Sequence, residues 1–272
     1  MSAAYSSAVA ALSPVAYYKL DETSGTAVAD SSGNGFNATA TQTISSVSAD
    51  GTTFDGAIDF DGSSQIIDTG EKFGFITGTG VFSLVFWFKS AIANSGSVAS
   101  ILGSNPSSPF SPGIASYFDD RSGLGYDNTL RGVIMVKNFQ SLKSVNATSA
   151  ITDADFHMVA IVGNGTNMEL FLDGSTSLGT VAYGTTLDGT APDWELAIGG
   201  VKTGSEFYDY TGAKQIAQVA IFDTTLTGTN LDDLYTAATS IAITGEAQIG
   251  GPLSADINVV SFRGPPPISA LA

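Results

Sequence analysis

Glu169 and Asp173 share one short apolar run, Met168-Glu-Leu-Phe-Leu-Asp173, and are read as a candidate pair of acid–base carboxylates on one strand. Four residues of extended strand separate Cα atoms by about 13 Å. Retaining glycoside hydrolysis needs carboxyl groups about 5 Å apart and inverting hydrolysis about 6.5–9.5 Å, so this pair predicts no glycan hydrolase. His157, the only histidine, lies in Phe156-His-Met-Val-Ala-Ile-Val162, a strand pattern, and no serine sits in a nucleophile-elbow sequence. A structural role follows for His157, and a histidine-based zinc site lacks partners. No Gly-x-x-x-x-Gly-Lys-Ser/Thr phosphate loop is present, and Gly33-Asn-Gly35 is too short for a dinucleotide fingerprint. The expectation is a protein that is not an enzyme.

Binding chemistry is better represented. Tyr117, Phe118, Tyr126, Phe207, Tyr208 and Tyr210 lie in or beside polar, glycine-containing segments, with Asp119, Glu206 and Asp209 nearby as hydrogen-bond acceptors. Aromatic faces flanked by acceptors suit stacking against sugar rings, and the same pattern serves packing or subunit contacts. Tyr117, Tyr126, Phe207, Tyr208 and Tyr210 are the expected ligand-binding residues, whereas Trp87 and Trp194 fall inside strand patterns and read as core. Three Asn-x-Ser/Thr sequons, at Asn37, Asn146 and Asn164, matter only in a eukaryotic secretory pathway.

The balance of 10 Lys+Arg against 26 Asp+Glu leaves a net charge of −16. Nucleic-acid binders displace counterions with clustered cations, so DNA and RNA are not expected ligands. The acidity reads as solubility and mutual repulsion between copies. With no cysteine, disulfides and thiolate metal sites are excluded. The first ten residues carry no basic region and no long apolar core, so general secretion is not the expected route out of a cell, and no run is long enough to span a membrane.

The elements that must position these residues are mostly strands. Tyr5, Val9 and Leu12 recur at helical spacing ahead of Pro14, which predicts a short N-terminal helix. From Val15 onward, brief β-rich runs alternate with Gly, Asn, Asp, Ser and Pro: 15–20, 57–61, 65–69, 82–90, 97–103, 113–118, 131–138, 156–163, 167–173, 178–183, 194–199 and 215–223. Many short strands with such punctuation predict an all-β, antiparallel sandwich. Val81 to Phe88 is apolar except at Ser83 and should be a central strand covered on both faces; Asp173-Gly174 should close a hairpin. Thr229 with Asp232 predicts the start of a closing helix, with an apolar stripe of Leu231, Leu234, Tyr235 and Ala238.

Seven segments in order carry a family resemblance: Ser13-Pro-Val-Ala-Tyr-Tyr-Lys-Leu-Asp-Glu-Thr-Ser-Gly-Thr26, Asp30-Ser-Ser-Gly-Asn-Gly35, Ala57-Ile-Asp-Phe-Asp-Gly62, Phe82-Ser-Leu-Val-Phe-Trp-Phe-Lys89, Phe156-His-Met-Val159, Met168-Glu-Leu-Phe-Leu-Asp-Gly174 and Ile216-Ala-Gln-Val-Ala-Ile-Phe-Asp-Thr-Thr-Leu226. Together they resemble the laminin-G-like jelly-roll modules of the concanavalin A-like lectin/glucanase superfamily. The resemblance implies a jelly roll over 13–238, preceded by a short segment at 1–12 and followed by an extended tail at 239–272. It implies a binding module rather than an enzyme. Related modules often hold a structural calcium with loop carboxylates and backbone carbonyls, which suit that ion's preference for oxygen. The matching residues are Asp30 and Asn34; an Asx-rich turn is the alternative. Many relatives add an Asp in an Ile-Asp pair where this chain has Ile216-Ala217.

The opening, Ala4 to Leu20, resembles the start of such modules in tailed-bacteriophage virion proteins. It implies a non-enzymatic virion component, on capsid, tail or fibre, displaying a lectin-like jelly roll for glycan or host-surface adhesion. Its implied partners are other virion proteins or copies of itself, bound through the N-terminal segment and the C-terminal tail, and a cell-surface glycan. A secreted or cell-surface lectin is the alternative, with a glycan hydrolase third. In the tail, Gly250-Gly-Pro252, Pro265-Pro-Pro267 and the apolar residues from Ile257 to Phe262 suit an extended arm that finds a partner surface.

Overall fold

Why strands form here is visible at Val81–Ser90 (β7), where β-branched and aromatic residues fill nearly every position and both faces are buried. Phe82, Leu84, Phe86 and Phe88 enter one apolar core and Val85 and Trp87 another. A strand with two dry faces belongs in the middle of a sheet between two other layers. The computed structural model describes residues 3–49, 52, 54–62, 65–90, 98–104, 112–119, 129–135, 143–147, 150–183, 192, 195–203, 206–208 and 214–240.

The sheet around β7 runs, in spatial order, Thr176–Ala182 (β14), Asn167–Leu172 (β13), His157–Asn164 (β12), β7, Lys214–Phe222 (β18), Ala57–Phe60 (β5) and Ser46–Val47 (β4). β18 is irregular between Ala217 and Ala220, with Gln218 in the left-handed region at φ 54°. This break lets its first half pair with β5 and its second half with Ala16–Tyr18 (β1). The second sheet runs Lys143–Asn146 (β11), Thr129–Met135 (β10), Gly113–Asp119 (β9), Val98–Ser104 (β8), Ala197–Ile198 (β15), Ile67–Asp68 (β6), Ala38–Ile44 (β3) and Gly25–Val28 (β2). Val201–Thr203 (β16) joins β8 in parallel and pairs with Glu206–Tyr208 (β17). All other described pairings are antiparallel. The first core, between the sheets, takes Leu84, Phe86, Ile101, Ile114, Phe118, Ile161 and Ile221.

The second core lies on the outer face of the β7 sheet and is closed by two helices, Ala3–Ala11 (α1) and Gly228–Thr239 (α3). Tyr5 and Val9 of α1 and Leu231, Leu234 and Ala238 of α3 are fully buried there with Trp87. Tyr235 stacks on Trp87 at 5.8 Å between ring centroids and 6° between planes, while Tyr5 meets the same indole edge-on at 6.1 Å. The N-terminal segment is therefore part of the folded unit, which is compact over residues 1–240. Of the expected N-terminal segment at 1–12, Tyr5 and Val9 are buried inside this unit, while Ala4, Ala10 and Ala11 stay exposed. The α3 cap is corrected. Thr227, in extended conformation, accepts from the Asn230 backbone N–H, and Asn230 Oδ1 accepts from the Thr227 backbone N–H, a closed capping box. Asp232, expected in that role, instead accepts from the Ser175 N–H and hydroxyl in the β13–β14 turn. A Cβ on Gly174 would sit 2.6 Å from Asp232 Oδ1, so the turn has room only for glycine. Phe75–Gly78 (α2) is a single helical turn, and among the described residues no helix is long and apolar enough to cross a membrane.

Candidate functional site

The site begins with the turn Asp30-Ser-Ser-Gly-Asn-Gly35. Gly33 and Gly35 adopt φ of 89° and 86°, which folds the chain back until the Phe36 N–H reaches Asp30. Asp30 Oδ1 accepts from the backbone N–H groups of Tyr17 (2.9 Å) and Ser32 (2.8 Å); Oδ2 accepts from the Ser32 hydroxyl (2.8 Å) and the Phe36 N–H (3.0 Å). Burial acts to raise the Asp30 pKa, but these donors outweigh it and hold the carboxyl below its ordinary value. The Asn34 amide N–H group donates to the carbonyls of Val15 (2.9 Å) and Pro14 (3.2 Å), which leaves its amide oxygen as the atom able to accept from a ligand. A carboxylate offers about four lone-pair positions, and all four of Asp30's are filled. The residues present do not fit a cation cage as they stand. Ala217, where the family resemblance implies an aspartate in many relatives, is buried in the second core and offers no side-chain oxygen. Among the described residues no group of three or more His, Asp or Glu side chains is arranged to hold a metal.

The turn instead builds a wall. A depression of about 740 Å³ is lined by Ala10, Ser13, Pro14, Ser31, Ser32 and Asn34, together with Val15, Phe36 and Asp223. A second, of about 570 Å³, shares Val15, Phe36 and Asp223 and continues along Glu71 to Phe75 and Glu195. Both volumes fall within the range of small-molecule sites. Three phenylalanines form the apolar floor: Phe73, buried, meets half-buried Phe36 at 5.9 Å and half-buried Phe75 at 6.1 Å, each at about 60° between planes. Glu195 is bonded to Lys202 at 3.0 Å, and the same ammonium holds Asp68 at 2.6 Å. Burial acts to raise the Glu195 pKa; hydrogen bonds from its own backbone and Lys202, and the charges of Lys202 and Lys72, outweigh it and lower it. The groove thus combines half-buried aromatic faces with carboxylate acceptors, which suits a polyhydroxylated ligand with apolar ring faces.

At a different position, His157 bridges two carboxylates. Its Nδ1 lies 2.8 Å from Asp173 Oδ2 and its Nε2 2.7 Å from Asp153 Oδ1, while Asp173 Oδ1 accepts from the Met158 N–H. Burial acts to lower the His157 pKa, but the two aspartates outweigh it and raise it to about 9. Among the described residues no hydroxyl bonds to the ring, so the arrangement has no nucleophile and pins β12 to the β13–β14 turn. Glu169 accepts from the Ser177 hydroxyl at 2.5 Å, and Asp173 is bonded to His157 and Met158, so the two carboxylates of this pair take part in separate contacts.

Of the expected ligand-binding aromatics, Tyr117 stands on β9, half-buried, on the face opposite Phe118 and the first core. It pairs across the sheet with Ser100 and with Arg131, whose guanidinium binds Asp119 at 2.9 Å and Asn146 at 2.8 Å. Phe207 and Tyr208 lie on β17 in the same sheet, three strands from Tyr117 in the order β9-β8-β16-β17; their side chains, and Tyr126, Tyr210 and Trp194 altogether, lie outside the described residues. The groove residues Phe36, Phe73, Phe75, Glu71, Glu195 and Asp223 were not singled out by sequence. The signals were an apolar Phe36 directly after an Asn-Gly turn and two phenylalanines around Gly74, outside any strand alternation.

Comparison with known proteins agrees with this architecture. The receptor-binding domain of botulinum neurotoxin C/D mosaic serotype superposes with a TM-score of 0.60 at 15% identity, over 82% of this chain and 51% of that one. The ligand-binding domain of botulinum neurotoxin serotype D in complex with N-acetylneuraminic acid gives 0.54 at 16% identity, over 84% and 52%. Domain 4 of AbnA, an extracellular arabinanase of glycoside hydrolase family GH43 from Geobacillus stearothermophilus, in complex with arabinotriose, gives 0.60 at 14% identity, over 82% and 98%. The chain spans about half the length of the toxin domains and nearly all of the arabinanase domain. At these identities the likeness is one of fold. No curated protein matches the sequence. Residues 61–231, more than half of the chain, match the Laminin_G_3 family profile, and the chain accordingly belongs to the concanavalin A-like lectin/glucanases superfamily.

Proposed function

We propose that this protein is a non-enzymatic, lectin-like binding module that holds a glycan in the groove over Phe36 and Phe75. The observation that carries this reading is a pair of adjoining depressions that share Phe36, with Phe73 and Phe75 packed beside it in the second, and whose walls supply Asn34, Glu71 and Asp223. Sugar rings present apolar faces to the aromatics and hydroxyls to the acceptors, and a largely preformed site loses little entropy on binding. The arabinotriose and N-acetylneuraminic acid complexes of the two structural neighbours are compatible with such a role on this fold. A glycan array read with the wild-type chain and with Phe36→Ala and Phe75→Ala tests it. Each substitution should weaken binding at least tenfold while circular dichroism shows the sandwich intact. Release of reducing ends from any array glycan, lost in Glu71→Gln or Asp223→Asn, would make the groove a hydrolase site.

A second surface has an observation of its own. On the outer face of the second sheet, Tyr117 and the Arg131–Asp119 pair lie beside Ser100 Oγ and Thr129 Oγ1, both buried without a hydrogen-bond partner. Loss of glycan binding in Tyr117→Ala, with Phe36→Ala unaffected, would move the site to this face.

The setting proposed for the module is a tailed-phage virion, on the resemblance of Ala4 to Leu20 to the openings of such modules. With α1 folded into the second core, assembly contacts fall to the segment beyond Ser240, which lies outside the described residues. Deleting 249–272 should leave the melting temperature of the 1–240 unit near native and prevent incorporation into particles. Normal incorporation of the truncated chain, followed by mass spectrometry of purified particles, would sink the anchoring role.

A further inference from the structure

We infer that the groove accepts uncharged oligosaccharides and turns away those bearing carboxylate, sulfate or phosphate groups. The inference rests on the groove being the glycan site and names the class of glycan. Among the described residues that line the two depressions, Glu71, Glu195 and Asp223 are negative, Lys72 is positive and Tyr17 is a neutral phenol. Lys72 stands close enough to Glu195 to lower its pKa, so its charge is already offset within the wall. Lys202, bonded to Glu195, is held between it and Asp68 at 3.0 and 2.6 Å. Asp30 behind the wall is satisfied by neutral donors, so its negative charge adds to the same sign. Around these residues the whole chain carries −16.

An anionic sugar seated on Phe36 and Phe75 would therefore meet a wall with at least two uncompensated carboxylates. Unit charges about 5 Å apart at a solvated surface repel enough to weaken binding by roughly tenfold. Screening shortens that reach from about 10 Å at 0.1 M salt to about 3 Å at 1 M. A neutral ring meets the same carboxylates as hydrogen-bond acceptors, and charged acceptors make the stronger bonds. The floor supplies apolar contact for either ligand. Discrimination therefore comes from the rim.

The experiment compares neutral gluco-, galacto-, manno- and arabino-oligosaccharides with oligogalacturonates and sialyllactose by array and calorimetry at 20 mM and 1 M NaCl. Neutral ligands should bind at least tenfold more tightly at low salt, with the gap narrowing at high salt. The double variant Glu71→Gln/Asp223→Asn should raise the acidic-to-neutral affinity ratio about tenfold. Acidic ligands that bind as tightly as neutral ones, with binding still lost in Phe36→Ala, would overturn the selectivity and leave the glycan reading standing. Binding of no oligosaccharide, or binding indifferent to both Phe36→Ala and Phe75→Ala, would overturn the groove as the site and this inference with it.

Discussion

Two aspartate-centred junctions hold this sandwich together by opposite means. At Asp30 a single anion is satisfied by four neutral N–H and O–H donors from Tyr17, Ser32 and Phe36. At Asp173 an anion is satisfied in part by a cation, His157, which a second anion, Asp153, holds from the other side. The first junction folds a glycine turn and in doing so builds a wall of the groove. The second ties β12 to the β13–β14 turn, whose Ser175 in turn carries Asp232 of α3. Each residue type suggests chemistry: a loop aspartate a metal, a lone histidine a triad. In both places the hydrogen-bond accounting gives the side chain a structural role. What separates the junctions is their response to protons, and that is where they can be pulled apart.

The largest effect is expected at Asp30. Asp30→Ala leaves the backbone N–H groups of Tyr17, Ser32 and Phe36 without their acceptor, and hydrogen bonds to a charged group contribute about 1.5–3 kcal/mol each at the upper end of net values. Because the turn is partly solvated and water replaces some of them, a loss of about 3 kcal/mol in urea unfolding is expected. Asp30→Asn should recover part of it, since one carbonyl oxygen remains. The folded pKa is depressed, so Asp30's contribution is complete above its unfolded pKa of about 3.9 and is lost as pH falls through the folded value. A loss in Asp30→Ala under 1 kcal/mol would break the comparison at its stronger end.

His157 should show the mirror image. Its folded pKa, raised to about 9, stands above the unfolded value, so its stabilising contribution is complete below about pH 6.5, declines between there and about pH 9, and is absent above. With Asp153 largely exposed, about 1–2 kcal/mol is a fair size for that contribution. Unfolding followed from pH 6 to 10 should show stability falling across this window in the wild type, and the slope should be absent in His157→Gln. Since His157 is the only histidine, a slope between pH 6.5 and 9 that persists in the variant would assign the titration to another group and remove the clamp from the account.

How far the sequence foretold these junctions follows from the range of the interactions involved. β7, β12, β13 and β18 were legible because strand periodicity is local, and the α3 stripe was legible for the same reason. Ala38–Ile44 carries no such signal: in Ala-Thr-Ala-Thr-Gln-Thr-Ile only Ala38, Ala40 and Ile44 are buried, and the small residues carry little hydrophobic contrast. The Asp30 turn and its local donors at Ser32 and Phe36 agree with an Asx-rich turn, while the fourth donor is hidden in sequence, because Tyr17 arrives from β1 and only the fold brings it there. The groove is hidden for a similar reason. Phe36, Phe73 and Glu195 are far apart in the chain and meet only once β15, β6 and β3 have paired. The N-terminal helix was foreseen as a helix but placed outside the domain, since Tyr5 and Val9 show no sign in sequence of the Trp87 surface that buries them.

The smallest expected effect is that of calcium. The family resemblance implies an ion at the matching loop, with Asp30 and Asn34 as its ligands, and the donor accounting at Asp30 argues the other way. An incoming cation would have to take lone pairs that now accept from two backbone N–H groups, a hydroxyl and a third N–H, and Asn34 would have to exchange its hold on the Val15 and Pro14 carbonyls for a metal contact. Each exchange leaves a donor unsatisfied at a cost comparable to the bond it loses. The final-strand aspartate that the resemblance implies, and that would help repay it, is Ala217 here. An ion bound only by the native state would raise stability with concentration by mass action, by about 2.7 kcal/mol at a hundred times its dissociation constant. The melting temperature should therefore be the same in chelator and in millimolar calcium. A rise of several degrees with calcium, absent in Asp30→Ala, would show that the turn rearranges to take the ion and that the two junctions are less alike than their shared reliance on aspartate suggests.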